Sequence, residues 1–217
     1  MYRLYDYLES GNGYKVRLLL HQLGEPFERL ELDITEGQTR TPEFLARNLN
    51  GRIPLLELND GSYLAESNAI NFFLAEGTAF LPSKRLDRAR VLQWMCFEQY
   101  SHEPYIAVLR FLAHTGALDP SHPSAKEKFE RGIDALRVME QHLSSRSFFV
   151  ADQYTIADIA LYAYTHVAAE GGFDLTPFPA IGRWLERVRK LPHHIPITHA
   201  EGLSEGLSRD SARERGD

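Results

Sequence analysis

The first 79 residues alternate between the hydrophobic patterns of strands and helices. Residues 2–7 alternate polar and apolar positions and are rich in aromatic side chains, which predicts a strand. Apolar positions 16, 19, 20 and 23 then recur at helical spacing, and Gly24 follows where helices commonly end. Residues 27–32 have the pattern of a second strand. The chain therefore begins with a β-α-β pattern, in which the two strands can pair in parallel through the helix.

The next elements are shorter. Thr41 and Pro42 suit the cap and first position of a helix. Residues 54–58 and 63–65 read as strands joined by an Asn-Gly-type turn at 59–61, which predicts an antiparallel hairpin. Ser67 is expected to cap the helix that follows. The predicted order for this half is β-α-β-α-β-β-α.

Beyond residue 79 only helical patterns occur. Residues 80–86 contain Pro82 and read as a linker, and Pro104 is expected to kink or break the first long helix. Thr155 and Asp158 have the spacing of a capping box. Helices are predicted at 87–114, 124–143, 155–169 and 179–191. We therefore predict an α/β domain at 1–79, an all-α domain at 87–201, and a polar, flexible tail at 202–217.

Composition and charge exclude several classes of function. With 43% hydrophobic and 25% charged residues the chain is an ordinary globular protein, and its net charge of −6 opposes nucleic-acid binding. No apolar run approaches the ~20 residues that cross a bilayer, and the N-terminus lacks the apolar stretch of a signal peptide. We expect a cytoplasmic protein that binds neither membrane nor metal. Cys96, the single cysteine, lies among aromatic and apolar residues and is expected to be buried.

The segment from Gly51 to Leu56 includes Ile53 and Pro54 at the start of a strand. A cis bond before Pro54 would turn the Ile53 backbone outward, where its N–H and C=O could pair with an extended peptide. The alternative is a proline that opens a strand and binds no ligand.

Glu66 and Ser67 form a second candidate site at the start of a helix. A hydroxyl and unpaired backbone N–H groups can bind a carboxylate there, and the Glu66 charge can bind an ammonium group. Together they suit the head of an α-amino acid. The alternative is an ordinary helix cap beside a surface glutamate.

Both segments, in this order and spacing, resemble the glutathione-binding half of bacterial cytosolic glutathione S-transferases, with a serine-type, theta- or nu-like pattern. The run 41–45 followed by 50–54 resembles bacterial members, and Phe149 to Asp158 resembles the helix-start motif of the family's second half. The resemblance extends from Met1 to about Leu191. It implies a thioredoxin-like N-terminal domain, an all-α C-terminal domain, a homodimer, glutathione as co-substrate and a role in detoxification.

The resemblance also implies residue roles. Glu66 and Ser67 would hold the γ-glutamyl head, and the Ile53 backbone would pair with the cysteinyl part. Arg52 and Thr39, or its neighbour Gln38, would lie near the glycyl carboxylate.

Two residues could activate the glutathione thiol. Ser10 follows the first strand, where a hydroxyl donating to sulfur would favour the thiolate; the alternative is a turn residue in a Ser-Gly-Asn-Gly loop. Asn12 is the second candidate, since its amide could donate equally well. Tyr5 and Tyr7 are less favoured because they are expected to pack in or beside the sheet.

The electrophile pocket is expected between the domains, where small-molecule sites commonly form. His102 and Tyr105 lie near Pro104 and are the candidate lining residues, although His102 could equally be a capping or surface histidine. The main prediction is a transferase that directs the glutathione thiol at a small electrophile. The alternatives are a glutathione-dependent disulfide or peroxide reductase, a non-catalytic binding protein, and a lyase, dehalogenase or isomerase.

Overall fold

A computed structural model describes residues 1–202. The chain forms two compact units: the first contains Met1–Leu74 together with residues 192–202, and the second is Ala75–Leu191. The units therefore part close to the predicted linker, but residues 192–201 pack with the first unit rather than with the helical domain to which we assigned them. The predicted flexible tail, apart from Gly202, lies outside the described residues.

The first unit combines a four-stranded sheet with helices. Its strands are β1 (Tyr2–Asp6), β2 (Phe27–Glu31), β3 (Leu55–Glu57) and β4 (Tyr63–Ala65), and its helices are α1 (Gly11–Leu23), α2 (Pro42–Arg47) and α3 (Ser67–Leu74). The strand order is β2-β1-β3-β4. β1 pairs in parallel with β2 and antiparallel with β3, while β3 and β4 form an antiparallel hairpin. The predicted element order and pairing are confirmed.

The ends of α1 follow from its sequence. Ser10 caps the helix, because its side chain accepts a hydrogen bond from the N–H of Gly13. Gly24 ends the helix in the left-handed region at φ 69°, where glycine carries no steric penalty. Between them, Val16 and the three leucines at 18–20 are fully buried. α1 therefore has a fixed start and packs firmly within the first unit.

The second unit is helical. It contains α4 (Arg85–Phe97), α5 (Glu103–His114), α6 (Pro123–Leu143), α7 (Ile156–Thr165) and α8 (Pro179–Arg189). The helix predicted at 87–114 is interrupted by one wide π turn, Glu98–His102, directly before Pro104. Proline has no N–H to donate and its ring crowds the preceding turn, so the local break that we predicted is confirmed.

The capping box at the start of α7 is also confirmed. Thr155 caps the helix, and the Asp158 carboxylate accepts hydrogen bonds from the Thr155 N–H at 2.9 Å and the Thr155 hydroxyl at 3.2 Å. The other carboxylate oxygen accepts from the Phe149 N–H at 3.2 Å and from the Trp184 indole at 3.0 Å. Asp158 is completely buried. One side chain thus joins the start of α7, the preceding loop and α8.

Cys96 corrects a prediction. The expected burial is wrong, because the cysteine is exposed. Successive residues of a helix point about 100° apart. Trp94 and Met95 face the interior of the second unit, and Cys96 is consequently directed outward.

No helix within residues 1–202 is long and apolar enough to cross a membrane.

Residues 192–202, which we call the return segment, are bound to the first unit through their backbone. Tyr14 donates from its hydroxyl to the Ile195 carbonyl at 2.6 Å. Arg17, fully buried in α1, donates to the carbonyls of Ile197 at 2.9 Å and His199 at 2.7 Å. Arg29 in β2 donates to the Ala200 carbonyl at 2.8 Å. Side chains of the N-terminal 30 residues therefore satisfy the carbonyl groups of a segment that follows them by about 180 residues.

Candidate functional site

The loop before α1 is anchored by a buried ion pair between Arg17 and Asp6. Arg17 Nε lies 2.8 Å from Asp6 Oδ2, and both side chains are fully buried. Arg17 also donates to the Leu8 carbonyl at 2.6 Å, two residues before Ser10. The Asp6 carboxylate lies so close to Gly13 that a Cβ there would be 1.5 Å from Oδ1, so no larger residue fits. Burial raises the pKa of Asp6 to about 6, against the opposing effect of Arg17 and Arg29.

Ser10 and Asn12 both lie at the start of α1. The Ser10 hydroxyl oxygen accepts from the Gly13 N–H at 3.2 Å, which is the cap bond, and its own proton can still be donated elsewhere. The alternative of a simple turn residue is therefore replaced by a helix cap. Asn12, half-buried, is the second residue of the helix.

The Ile53–Pro54 bond is cis. Ile53 directly precedes β3, in which Leu55 pairs with Ala65 of β4. Ile53 and Ala65 pack against the same buried cluster, which contains Tyr5 and Leu55. The structure consequently brings the segment at Ile53 together with the end of β4, one residue before Glu66.

Glu66 adopts an unusual backbone conformation. Its φ is 69°, in the left-handed region that disfavours side chains other than glycine. Its carbonyl accepts the first helical hydrogen bond, from the Ile70 N–H at 2.9 Å, so Glu66 is the residue that caps α3. The expectation that Ser67 is the cap is wrong by one position, because Ser67 is already the first helical residue. Backbone strain of this kind concentrates at binding sites.

A hydrogen-bonded chain connects α3 with α1. Ser67, only 5% exposed, donates its hydroxyl proton to Oδ1 of Asn12 at 3.1 Å. The same oxygen accepts from Lys15 Nζ at 2.8 Å. One turn further along, Asn71 donates to the Lys15 carbonyl at 3.3 Å. The structure thus joins the predicted amino-acid head site to one of the two predicted thiol activators.

The two residues assigned to the glycyl carboxylate belong to neighbouring segments. Gly51 has φ 60°, and a Cβ on it would be 2.9 Å from the Thr39 carbonyl oxygen. Thr39 is nearly buried in a short 3-10 turn, Gln38–Arg40, whereas Arg52, directly after Gly51, is exposed. The Arg52 carbonyl accepts from the Asn48 side chain at 2.8 Å. The backbone around both residues is fixed, while the Arg52 side chain extends into solvent.

Tyr5 of β1 remains unfavoured as a thiol activator. Tyr5 is 6% exposed and donates to Glu57 Oε2 at 2.8 Å, and burial with this bond raises its pKa to about 12. Its hydroxyl proton is already donated to Glu57, so it is not directed at a ligand sulfur.

His102 and Tyr105 have different environments in the second unit. His102 is completely buried, and its Nε2 lies 2.9 Å from the Thr165 hydroxyl of α7. It is therefore an interior residue rather than a surface histidine, and a direct part in an electrophile pocket stays a prediction that its burial does not favour. Tyr105 is partly exposed near the start of α5 and stays a candidate.

No group of three or more histidine, cysteine, aspartate or glutamate side chains suited to a metal ion occurs among residues 1–202.

Comparison with known proteins identifies the family of the chain. Residues 1–76 match the model of the glutathione S-transferase N-terminal domain, and residues 93–192 match that of the C-terminal domain. The chain belongs to the glutathione S-transferase family. Its thioredoxin-like and all-helical architecture is the one that the sequence predicts, and membership of this family supports glutathione as a ligand.

Individual relatives of this transferase-family chain differ in their stated activities. The crystal structure of a glutathione S-transferase from Pseudomonas fluorescens Pf-5 is 52% identical, has a TM-score of 0.89 and covers 91% of this chain and 99% of its own. Maleylacetoacetate isomerase of Rhizobium meliloti is 32% identical, over 82% of this chain and 86% of that protein. The disulfide-bond oxidoreductase YfcG of Escherichia coli is 30% identical, over 83% and 87%.

The sequence analysis missed Lys15 and Asp6. Lys15 interrupts the apolar face of α1 three residues after Asn12, which places both on the same side of the helix. A charged residue at a position that the helical pattern buries is the signal that could have drawn attention to it.

Proposed function

We propose that this transferase-family protein activates the glutathione thiol for attack on a small electrophile. The observation that supports this most directly is the hydrogen bond between Ser67, which we expect to bind the amino-acid head, and Asn12 at the start of α1. A ligand held by its head at Glu66 and Ser67, with its backbone along Ile53, would present its next portion to the Ser10–Asn12 loop.

The chemistry of this loop suits a thiolate. A free thiol has a pKa of about 8.5 and is mostly protonated at neutral pH. The positive end of the α1 dipole, together with a hydroxyl or amide that donates to sulfur, lowers that pKa. A shift of one unit raises the thiolate fraction at neutral pH about tenfold. The thiolate is the nucleophile that forms the new bond to the electrophile.

Initial rates with glutathione and a panel of electrophiles test the proposal, using the wild-type protein, Ser10→Ala and Asn12→Ala. We expect the wild type to turn over at least one electrophile, and the variant that lacks the sulfur donor to lose about tenfold or more in kcat/KM at neutral pH. Ser10→Ala also removes a helix cap worth about 1 kcal/mol, so thermal unfolding is measured beside it. Unchanged kcat/KM in both variants would show that neither residue activates the thiol.

Reduction of disulfides is the second candidate function. It is favoured by the similarity to the disulfide-bond oxidoreductase YfcG over most of both chains. The Ser10–Asn12 loop contains no cysteine, so such a reaction would use two glutathione molecules as the reductant rather than a protein thiol. Assays with a small disulfide and with an electrophilic carbon compound, run on one preparation, show which activity dominates. A measurable isomerisation of a maleyl-type substrate would favour the relationship to maleylacetoacetate isomerase instead.

Glu66 provides a direct test of the head site. Glu66→Gln keeps the shape of the side chain but removes the charge that would hold the ligand ammonium, and we expect glutathione affinity to fall about tenfold or more. Glu66→Ala should bind as weakly. Glu66→Gly should bind weakly too, yet be more stable than Glu66→Ala by about 1 kcal/mol, because glycine tolerates the left-handed backbone. Calorimetry gives the affinities and urea unfolding gives the stabilities. Wild-type affinity in Glu66→Gln would place the head group elsewhere.

We further propose that the protein acts in the cytoplasm as a homodimer. Three exposed apolar side chains support a contact with a second copy of the chain. They are Leu86 and Leu92 on α4 and Tyr100 in the π turn that follows it. Light scattering of the purified protein at micromolar concentration tests this: a mass of one chain would contradict it.

A further inference from the structure

Lys15 is a buried charge at the candidate site, and nothing in the proposed mechanism so far uses it. The side chain is completely buried within α1. Lysine is rarely buried to this extent, because an ammonium group loses its hydration in the interior. Its Nζ lies 2.8 Å from Oδ1 of Asn12. Because burying the Lys15 ammonium opposes folding, its contact with a candidate thiol activator indicates a function.

The Lys15 contact decides which way the Asn12 amide faces. An ammonium group has donors but no acceptor, so the amide atom that it touches must be the oxygen. In this orientation the Ser67 hydroxyl, at 3.1 Å, donates to the same oxygen. With Oδ1 held by two donors, the Nδ2 arm of the amide is directed to the other side. An amide that flipped would place its NH2 group against the Lys15 ammonium, donor against donor.

Orientation matters because only one arm of the amide can stabilise a thiolate. Nδ2 carries the protons that can donate to sulfur, whereas Oδ1 would repel the negative charge. On the surface of a protein, an asparagine side chain can present either its oxygen or its NH2 group to a ligand. At this site the orientation of the Asn12 amide is fixed by two side chains, Lys15 of α1 and Ser67 of α3.

We infer that Lys15 is a positioning residue for glutathione activation: it holds Oδ1 of Asn12 so that the amide presents Nδ2 to the glutathione sulfur. This inference rests on the proposed function and assigns the sulfur donor to Asn12 rather than to Ser10. Ser67 has a share in the same arrangement, because its single hydroxyl proton is used by Asn12. A ligand carboxylate at α3 is then bound mainly by the backbone N–H groups of its first turn.

The experiment compares wild type, Lys15→Met, Asn12→Ala and the double variant Lys15→Met/Asn12→Ala. Methionine fills a similar volume without a donor. The pKa of the bound thiol is read from the pH dependence of kcat/KM for the electrophile at saturating glutathione, and glutathione affinity is measured by calorimetry. We expect Lys15→Met to raise the bound-thiol pKa by about one unit and to lower kcat/KM about tenfold at neutral pH. Its glutathione Kd should change by less than about threefold, because Lys15 does not hold the ligand. The double variant should match Asn12→Ala, since Lys15 acts through that amide.

Lys128→Met is the matched control. Lys128 donates to the Ser124 hydroxyl on the exposed side of α6, so the same chemical change occurs far along the chain from the site. It should leave both the pKa and the Kd at wild-type values. A bound-thiol pKa unchanged in Lys15→Met, or a Lys15 effect that adds in full to that of Asn12→Ala, would overturn the inference.

Asn12→Asp tests the same idea if Lys15→Met does not fold. Aspartate keeps an acceptor for Lys15 and Ser67, so the melting temperature should not fall, but it offers sulfur an oxygen in place of NH2. We expect kcat/KM at neutral pH to fall at least as far as in Asn12→Ala. Wild-type kcat/KM in this variant would contradict the inference. Absence of glutathione binding and turnover in the wild type is a different result, and would instead refute the proposed function.

Discussion

Replacing Asp158 with alanine is expected to lower the free energy of unfolding by at least about 3 kcal/mol, because buried donors that lose their acceptor cost about 1–3 kcal/mol each. The carboxylate accepts from the Thr155 N–H and hydroxyl, the Phe149 N–H and the Trp184 indole, all of which are buried. Since the free energy of unfolding of a domain is only about 5–15 kcal/mol, this one change removes a large part of it. A fall of about 6–12 °C in melting temperature is expected for a chain of this size.

Two further variants define the cause. Asp158→Asn keeps one acceptor oxygen but turns NH2 protons toward the remaining donors. It should also lower the free energy of unfolding, by less than Asp158→Ala does. Asp134→Ala, on the exposed face of α6, removes a carboxylate paired with Arg137 and should change the unfolding free energy by about 0.5 kcal/mol or less. Urea unfolding followed by tryptophan fluorescence reports all three. An Asp158→Ala loss as small as that of the control would mean that the four donors find other acceptors.

Arg17→Met is expected to be of similar severity. It leaves the Asp6 carboxylate buried without its nearest cation, and removing one partner of a buried pair costs about 3–5 kcal/mol. It also withdraws the donor from the carbonyls of Ile197 and His199, so the return segment should become sensitive to protease. Asp6→Asn in the same background removes a buried charge that only Arg29, at 3.5 Å, would still pair with, and should restore part of the loss. Arg137→Met, in an exposed pair, is the matched control.

The Arg17→Met loss should depend on pH. The pKa of Asp6 is raised by burial to about 6, and Arg17 opposes that rise, so removing the arginine moves the pKa higher. A carboxyl whose pKa is higher in the folded than in the unfolded chain favours the folded state only while it is protonated there. The variant should therefore come closest to wild-type stability near pH 5 and fall furthest behind near pH 8. A difference from wild type that stays constant over this range would show that Asp6 does not carry the effect.

The sequence analysis was most successful where local chemistry decides the structure. Hydrophobic periodicity and turn residues predicted every strand and helix of the first unit, because those patterns depend on neighbours in the chain. The break before Pro104 and the capping box at Thr155 also follow from local rules. Ser67 was misassigned as the cap because the preceding residue, Glu66, adopts a backbone conformation that glutamate rarely takes.

Features that depend on distant residues were not predicted. The return segment reads as the end of a helical domain, and only the carbonyl-binding side chains of α1 and β2 show where it packs. The contact of Lys15 with Asn12 lies within α1, but its meaning depends on Ser67, which arrives 55 residues later. The outward direction of Cys96 likewise depends on which face of α4 packs inward, and its aromatic neighbours in sequence gave the opposite expectation.

The return segment has a consequence for synthesis on the ribosome. Tyr14, Arg17 and Arg29 emerge early, yet the carbonyl groups that they bind are in residues 195–200. Domains generally fold in order of emergence. Here the N-terminal unit can form its sheet early, but its last contacts must wait until the whole helical unit has been made. The part of the protein that is synthesised first is therefore completed last: the buried Arg17 can pair early with Asp6, but the carbonyl groups of Ile197 and His199 reach it only at the end.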